Sequence, residues 1–160
     1  MSQATRSYFY NVDASGDLYH DGTRLQDRAF LDFFFRRLRA NTTGTEAAFP
    51  WISPCGPEMN FVRAVGTPII FDRLIAGETQ DMLGFNHTSL TLPFEPGTLR
   101  LSPSGALLHP ARPDAGIPFG RLNSKLMLEL AANIEEDRGN YILTYRDRPF
   151  PIRQDSDDRN

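Results

Sequence analysis

Apolar residues at helical spacing mark two segments of the chain. The first stripe follows a 3.6-residue period and consists of Phe30, Leu31, Phe34, Phe35 and Leu38. The same spacing recurs 96 residues later, in a stripe of Leu126, Met127, Leu130, Ala131 and Ile134. Each pattern predicts an amphipathic helix that covers one face of a sheet.

Residues that favour helix ends stand beside both stripes. Asp27 and Asn123 are also 96 residues apart, and each side chain is expected to accept a hydrogen bond from the first helical turn. Gly139 is expected to end the second helix, because glycine readily adopts the left-handed conformation found after a helix. Residues 135–137 would then form the solvent-facing end of that helix.

Short extended segments surround both predicted helices, and part of their sequence recurs 89 residues later. The recurring residues are Gly16, Leu18 and His20 in the first half and Gly105, Leu107 and His109 in the second. After each helix come two extended segments joined by a turn. We therefore predict an α+β protein of two tandem pseudo-repeats, each a small antiparallel sheet of short strands covered by one amphipathic helix, with nine or ten strands in all.

The predicted domain organisation has four parts. A flexible N-terminus (1–7) precedes a first α+β lobe (8–75), and a second α+β lobe (82–152) packs on the first. A disordered acidic tail (153–160) follows. Such an arrangement would leave a cleft between the lobes, where pockets commonly form.

Two large apolar side chains lie outside the helical stripes. Phe33 and Leu128 would point away from the local sheet. Two interpretations remain open for them. They form a second buried contact, between the lobes or with another subunit, or they are single exposed apolar residues.

The segment MNFVRAVGTPIIFDRLI predicts a β-hairpin. A two-residue loop that begins with Gly66 suits a type II′ turn, and Pro68 is tolerated as the first residue of a strand. In that register Arg63 and Asp72 are diagonal neighbours on one face. We interpret them as a structural ion pair rather than a ligand site.

Composition limits the classes of function. The 160 residues include 40% hydrophobic residues, enough for a buried core, and no apolar run is long enough for a signal peptide or a membrane span. The formal charge is −3, and the 17 basic residues are spread along the chain, which disfavours nucleic-acid binding. The single cysteine agrees with a reducing compartment. We expect a soluble, cytoplasmic protein.

The only cysteine lies in the stiff segment FPWISPCGPEMNF. Cys55-Gly56-Pro57 resembles the start of a thioredoxin motif, but Glu58 replaces the second cysteine. The favoured interpretation is a rigid turn, because Pro54 and Pro57 fix the backbone on both sides. The alternative is a nucleophile served by a histidine that the fold brings close.

The three histidines show no metal-binding spacing. His20, His87 and His109 form no pair at i, i+3 or i+4. The equivalent repeat positions of His20 and His109 favour a shared structural role, such as a bond to a turn carbonyl. A metal site that joins either one to Asp13, Asp17 or Asp21 stays open but has no support from spacing, so we predict no metal and no cofactor.

No catalytic motif for acyl transfer, phosphate binding or dinucleotide binding occurs in the chain. The leading hypothesis is a non-enzymatic module that binds a small molecule or a protein near the 51–63 turn. The candidate ligand-binding residues are Trp51, Ser53, Cys55, Glu58, Asn60 and Arg63. The rival hypothesis is a small enzyme that uses Cys55 or Glu58, with Arg63 binding an anionic substrate. A third is a structural subunit, and we expect a monomer or a weak homodimer.

Three strings of this sequence carry a family resemblance. YFYNVDASGDLY, EAAFPWISPCGPEMNFVR and LPFEP resemble domain-of-unknown-function family 4505, which has bacterial and mitochondrial members. The residues that match its central motif are Pro50, Ser53, Pro54, Cys55, Gly56, Glu58, Asn60, Phe61 and Arg63. The resemblance implies no activity. His20 departs from the pattern expected of the mitochondrial relative, which weakens a metal role for it.

A second resemblance concerns the C-terminal half. Its G-x-L-x-x-P string, helix and FPI string are similar to another uncharacterised bacterial family. That likeness implies a β-rich fold with internal structural repeats. It is a statement about fold and does not imply a function.

Overall fold

The computed structural model describes residues 5–156, which form two α-helices, fifteen strands and two short 3-10 helices. The helices are α1 (Arg28–Arg36) and α2 (Ser124–Ala131), and the 3-10 helices are Pro96–Thr98 and Pro113–Ala115. Strands β1 to β6 are Arg6–Val12, Leu18–His20, Thr23–Leu25, Arg39–Ala40, Trp51–Cys55 and Glu58–Ala64. Strands β7 to β12 are Ile70–Ile75, Met82–Phe85, Thr91–Pro93, Arg100–Leu101, Leu107–Arg112 and Ile117–Leu122. Strands β13 to β15 are Ile134–Asp137, Asn140–Tyr145 and Arg148–Gln154.

The strands form two mixed sheets. The first contains six strands in the order β3-β2-β1-β6-β5-β4, and the second contains nine in the order β13-β14-β15-β10-β11-β12-β7-β8-β9. The α+β class is confirmed, but each sheet is mixed rather than purely antiparallel, because β1 runs parallel to β6 and β10 runs parallel to β15. The described residues also form more strands than the nine or ten expected.

Six strands of the second sheet follow the same order as the first sheet. The series β12-β11-β10-β15-β14-β13 corresponds to β3-β2-β1-β6-β5-β4, with a helix in the same place along the chain. The register corresponds as well: Val12 opposes Leu18 where Leu101 opposes Leu107, 89 residues later. Residues at such positions are called counterparts below. Their spacing is 89 in β1–β2 and β10–β11, 96 in the helices, and 90 in β5–β6 and β14–β15.

The turn before the second strand of each six-strand series has the same hydrogen bonds. The backbone N–H of Asp13 donates to the Asp17 carbonyl at 3.0 Å, and that of Ser102 donates to the Ala106 carbonyl at 2.8 Å. In each turn the first side chain also accepts a bond from the fifth residue, at 2.9 Å and 3.0 Å. Gly16 and Gly105 occupy the fourth position with φ of 86° and 89°, a region that glycine enters without steric cost.

Both predicted helix N-caps are confirmed. The Asp27 carboxylate accepts from the Phe30 N–H at 2.9 Å, and the Asn123 side chain accepts from the Leu126 N–H at 2.8 Å. Each helix buries the centre of its apolar stripe, with Phe34 at 0% exposure and its counterpart Leu130 at 5%. Burial of such side chains contributes about 1.5–3 kcal/mol each.

The predicted end of the second helix is wrong. Helix α2 ends at Ala131, and residues 134–137 form strand β13, which pairs antiparallel with β14. Gly139 lies instead in the turn between these strands, with φ of 81°. Pairing with β14, which follows after a two-residue turn, satisfies the backbone of this segment and overrides its helical pattern.

The predicted hairpin between residues 58 and 75 is also wrong. Strand β6 lies between β1 and β5, so neither of its edges is open to β7. Strand β7 belongs to the second sheet, parallel to β12 and antiparallel to β8. The boundary between the sheets therefore falls between Ala64 and Ile70, inside the predicted 8–75 lobe.

Regular structure extends into both predicted terminal segments. Strand β1 begins at Arg6, within the segment 1–7 that was predicted to be flexible, and β15 continues to Gln154. The Arg100 guanidinium also contacts the Asp155 carboxylate at 2.5 Å. Residues 1–4 and 157–160 lie outside the described residues.

The outer faces of both helices carry an exposed apolar residue. Leu128 is 72% exposed and Phe33 is 38% exposed, with the Arg37 guanidinium 3.5 Å from the centre of the Phe33 ring. In this single chain neither residue makes the second buried contact considered above. Within residues 5–156, no helix has the length and apolar character needed to cross a membrane.

The two turn glycines allow a matched stability test. A Cβ at Gly16 would lie 3.0 Å from the Ile70 Cβ, whereas a Cβ at Gly105 would meet nothing within 4 Å. We expect Gly105→Ala to lower the free energy of unfolding by about 1–2 kcal/mol through left-handed strain alone. Gly16→Ala should lower it further because the added methyl also crowds β7. Urea denaturation of both variants measures this, and equal losses would contradict the contact between the turn and β7.

Candidate functional site

Five of the six predicted ligand-binding residues share one face of the β5–β6 hairpin. They are Trp51, Ser53, Cys55, Glu58 and Asn60. The register places Cys55 opposite Glu58 and Ser53 opposite Asn60, and alternate residues of a strand share a face. Helix α1 covers this face, since the Ser53 hydroxyl donates to the Phe34 carbonyl at 2.7 Å.

Ser53 and Asn60 connect the helix to the hairpin. Ser53 is fully buried, and the Asn60 amide, 2% exposed, donates to the Ser53 carbonyl at 3.0 Å. The Asn60 Oδ1 atom is buried without a hydrogen-bond partner among residues 5–156. A buried acceptor without a partner costs about 1–3 kcal/mol. The Ser53 bond is structural, because it satisfies a carbonyl in the last turn of α1.

Cys55 ends strand β5, directly before the two-residue Gly56-Pro57 turn. Its thiol is half-buried and lies 3.7 Å from the Ser53 hydroxyl. The opposite residue, Glu58, forms an ion pair with Arg6 at 3.4 Å. Throughout the described chain, no histidine makes a hydrogen bond to Cys55, so the geometry offers this thiol no direct general base.

Arg63 lies on the opposite face of the hairpin from Cys55. Its Nε donates to the Asn11 Oδ1 at 2.5 Å, and its guanidinium lies 5.2 Å from the centre of the Phe49 ring. The predicted ion pair with Asp72 is wrong, because β6 and β7 belong to different sheets. The structure therefore does not bring Arg63 together with Cys55 and Glu58.

His20 and His109 occupy counterpart positions but have different surroundings. The His20 Nδ1 lies 3.1 Å from the Phe9 carbonyl, and His20 packs on the rings of Tyr8 and Tyr10. The buried His109 accepts from the Glu95 N–H at Nε2, 3.1 Å away, which places the proton on Nδ1. Burial lowers the pKa of His109 and favours this neutral form. Both rings contact a strand carbonyl through Nδ1, and neither contacts a turn carbonyl.

A polar pocket of about 310 Å³ lies where the first sheet meets the turn after β8. We call it the junction pocket. Its polar lining consists of Ser15, Asp17, Arg24, Gln26, Arg28, Asn86 and His87. The first five residues belong to the first half of the chain, so both halves contribute to the pocket.

His87 bridges two carboxylates from different elements at this pocket. Its Nε2 lies 3.1 Å from Asp17, in the β1–β2 turn, and its Nδ1 lies 3.4 Å from Asp72, on β7. Asp72 also accepts from the His87 N–H at 2.7 Å. In residues 5–156, no group of three or more His, Cys, Asp or Glu side chains could hold a metal ion.

Asn86 fixes the position of the junction pocket. Its buried side chain accepts from the Ile70 N–H at 3.0 Å and donates to the carbonyls of Gly16 and Pro68 at 3.1 Å and 2.9 Å. Asn86 and His87 both have positive φ, 50° and 59°. Asparagine tolerates this conformation better than most residues, and here three hydrogen bonds hold it.

The arginines at the pocket rim form no direct salt bridge among residues 5–156. The side chains of Arg24 and Arg28 are exposed, and neither forms a hydrogen bond or a salt bridge within the described part of the chain. The only carboxylate in the lining, Asp17, already contacts His87. Arg28 interacts electrostatically with the Asp32 carboxylate one helical turn away, so the positive charge at the open side of the junction pocket is only partly compensated.

A second polar pocket, of about 410 Å³, surrounds the buried carboxylate of Asp81. Asp81 accepts hydrogen bonds from the Tyr145 hydroxyl, from the Gly77 N–H at 2.9 Å and from Arg146 at 2.6 Å. The bond from Tyr145 is the main reason that the pKa of Asp81 is lowered. Because its oxygens are fully engaged, Asp81 fastens β8 to the β14–β15 turn and has little capacity left for a ligand.

Sequence reasoning missed the junction pocket. His87 was considered only for histidine spacing, and neither Asn86 nor Asp81 was singled out. Asn-His directly after the apolar strand MLGF was a usable signal, since asparagine favours a left-handed turn. No local pattern indicates that this turn meets Asp17 from 70 residues earlier.

The protein is thus an α+β protein with two mixed sheets and a polar pocket at their junction. Two solved structures share the fold. A DUF1285 family protein from Silicibacter pomeroyi DSS-3 has a TM-score of 0.59 at 17% identity, over 92% of this chain and 81% of that one. Another from Shewanella baltica OS155 has a TM-score of 0.55 at 13% identity, over 78% and 91%. They belong to an uncharacterised family, as the second resemblance implied.

The chain itself belongs to the family described as "Domain of unknown function (DUF4505)", which matches residues 1–155. The principal resemblance found in the sequence is therefore confirmed. Neither family carries an assigned activity, so the comparisons show the family and the fold and leave the function to be argued from the site.

The contribution of the Asp81 carboxylate to stability can be tested by its dependence on pH. Its pKa is lowered on folding, so its contribution to stability is present above about pH 5 and is lost as pH falls below about 4. We expect Asp81→Asn to lower the free energy of unfolding by about 1–2 kcal/mol at pH 7 and by less at pH 3.5. Denaturant titrations at both values measure this, with Asp147→Asn in the adjacent turn as the control. A loss independent of pH would contradict the assigned role of the charge.

Proposed function

We propose that this protein is a non-enzymatic module that binds a small anionic ligand in the junction pocket. The observation that supports it is the pair of exposed guanidinium groups of Arg24 and Arg28, which make no salt bridge within residues 5–156 and lie at the rim of a pocket built by both halves of the chain. A guanidinium presents several N–H donors in a plane and matches carboxylate or phosphate oxygens.

The charge distribution favours an anion over a cation. The Asp17 carboxylate lies 3.1 Å from the His87 Nε2, so one of its oxygens is already in contact with the protein. Arg28 is also the first residue of α1, so the positive end of the helix dipole adds to the two guanidinium charges. Asp27 already accepts from the Phe30 N–H of that turn, so we assign the ligand to the arginines rather than to the free N–H groups.

The pocket is preorganised. Asn86 binds Gly16 of the first half and both Pro68 and Ile70 of the second, which fixes the turn that carries His87. The Arg121 guanidinium adds a bond to the Ala14 carbonyl at 2.6 Å across the same junction. A preformed site loses less conformational entropy on binding than a mobile one.

This proposal differs from the sequence-based site at residues 51–63. That assignment stays a prediction, and its main difficulty is that helix α1 covers the face shared by Ser53, Cys55 and Asn60. The enzyme alternative has less support, because Arg63 lies on the other face and Cys55 has no histidine partner in the described chain.

We also propose that the two six-strand series are tandem pseudo-repeats. The shared strand order, the shared parallel pair and the matched turn hydrogen bonds support this interpretation. In that arrangement the meander β7-β8-β9 extends the second unit and supplies the turn that contacts the first. The junction pocket would then be a site formed between repeats.

The binding proposal can be tested by amide NMR with inorganic phosphate, succinate and a library of anionic metabolites. We expect saturable shifts at residues 15–18, 24–28 and 86–87. Arg24→Gln and Arg28→Gln should each weaken binding about tenfold or more, since each removes a charge-assisted hydrogen bond. Lys125→Gln, at the start of α2, makes the same charge change away from the pocket and should leave affinity unchanged.

Three outcomes would oppose this proposal. Shifts confined to residues 51–63 would favour the site predicted from the sequence instead. An equal loss of affinity in Lys125→Gln would indicate non-specific attraction to positive charge. The absence of any saturable shift with the whole library would exclude anion binding at this pocket.

A further inference from the structure

The two helices differ in the size of the side chain at one pair of counterpart positions. In the first half, Phe35 of α1 is fully buried. Its counterpart in α2, 96 residues later, is Ala131, which is exposed. The second half thus lacks one aromatic ring where the first half has one.

A largely apolar pocket of about 400 Å³ lies at this place, between α2 and the second sheet. We call it the α2 pocket. Its apolar walls are formed by Leu101, Leu107, Met127, Ile134, Tyr141 and Ile152. Ala131 lines the same space, so the missing ring and the pocket coincide. A well-formed apolar pocket with few polar groups is the usual form of a small-molecule site.

The second half of the chain covers the end of α1, whereas nothing in the described residues covers α2 in the same way. The C-terminal end of α1 is covered by the second half: Arg112 of β11 donates to the Phe35 carbonyl, and Gly116 lies against Ala40 so closely that a Cβ there would be 2.6 Å from the Ala40 Cβ. The described residues contain no further unit after β15 that could cover α2 in the same way.

The charge at the rim limits the kind of ligand. Glu136 is the only charged residue in the lining, and it forms no salt bridge within residues 5–156. It stands directly opposite Tyr141 in the β13–β14 pair, on the face that borders the pocket. A carboxylate at the mouth attracts a cationic group and repels an anionic one.

We propose that the α2 pocket binds a small aromatic amine. The ring of the ligand occupies the space that Phe35 fills in the other half, where it contacts the Met127 thioether and the Tyr141 ring. The ammonium group lies at the mouth, beside Glu136. This site is separate from the junction pocket and selects the opposite charge, so either proposal can fail alone.

The test is a methyl NMR titration of the full chain with 2-phenylethylamine. We expect saturable shifts at the methyl groups of Met127 and Ile134. Ala131→Phe places a ring in the pocket. It should weaken binding at least tenfold, because the added ring occupies the space of the ligand ring. Glu136→Gln should weaken binding of the amine about two- to fivefold, because a solvent-exposed charge pair contributes little.

Matched ligands separate the two parts of the proposal. The neutral 2-phenylethanol should bind with the same affinity to the natural chain and to Glu136→Gln, and more weakly to Ala131→Phe. Ethylamine, which lacks the ring, should produce no saturable methyl shift. Equal binding of ethylamine and 2-phenylethylamine would overturn the aromatic assignment, and an unchanged amine affinity in Glu136→Gln would overturn the role of the carboxylate.

Folding and self-association are controlled separately. Ala131→Phe should melt no lower than the natural chain, and Ala131→Leu provides a smaller filler if the phenylalanine variant fails to fold. Either folded variant that binds 2-phenylethylamine as tightly as the natural chain would overturn the site. Sedimentation that shows a dimer abolished by Ala131→Phe would also overturn it, because the pocket would then belong to a second copy of the chain.

Discussion

The parallel pairing of β1 with β6, and of β10 with β15, is the constraint on which the architecture depends. Adjacent parallel strands cannot be joined by a tight turn and need a long crossover connection. In each six-strand series that connection contains a hairpin, a helix and a second hairpin. The helix is thereby placed across the sheet, where Phe34 and Leu130 become buried. The N-cap and the apolar stripe of each helix stabilise its crossover.

The same constraint decides how the two sheets join. Because β1 and β5 occupy both edges of β6, the chain that leaves β6 cannot fold back on it. Strand β7 instead starts the meander that extends the second sheet, and the turn after β8 reaches back to the β1–β2 turn. Asn86 and His87 meet Gly16 and Asp17 there. The junction is polar because it is built from turns, whose free backbone groups need hydrogen-bond partners.

The two six-strand series share their strand order but differ in side chains at corresponding positions. At the counterpart positions 35 and 131, a phenylalanine closes the space under α1 and an alanine leaves it open under α2. At positions 55 and 145, a cysteine ends one hairpin strand, and a tyrosine in the other holds the Asp81 carboxylate. Backbone order is shared, whereas the side chains decide which surfaces are sealed. Function therefore has to be assigned to each half separately.

The sequence by itself determined the α+β class, the presence of both helices with their N-caps, and the family. These features depend on residues within one or two turns of each other, so a local pattern is sufficient. Only the tertiary structure decided that residues 134–137 form a strand, that β7 leaves the first sheet, and that His87 meets Asp17 and Asp72. Strand partners are chosen by hydrogen bonding and burial across long sequence separations, and the periodicity of a segment does not record which distant edge is free.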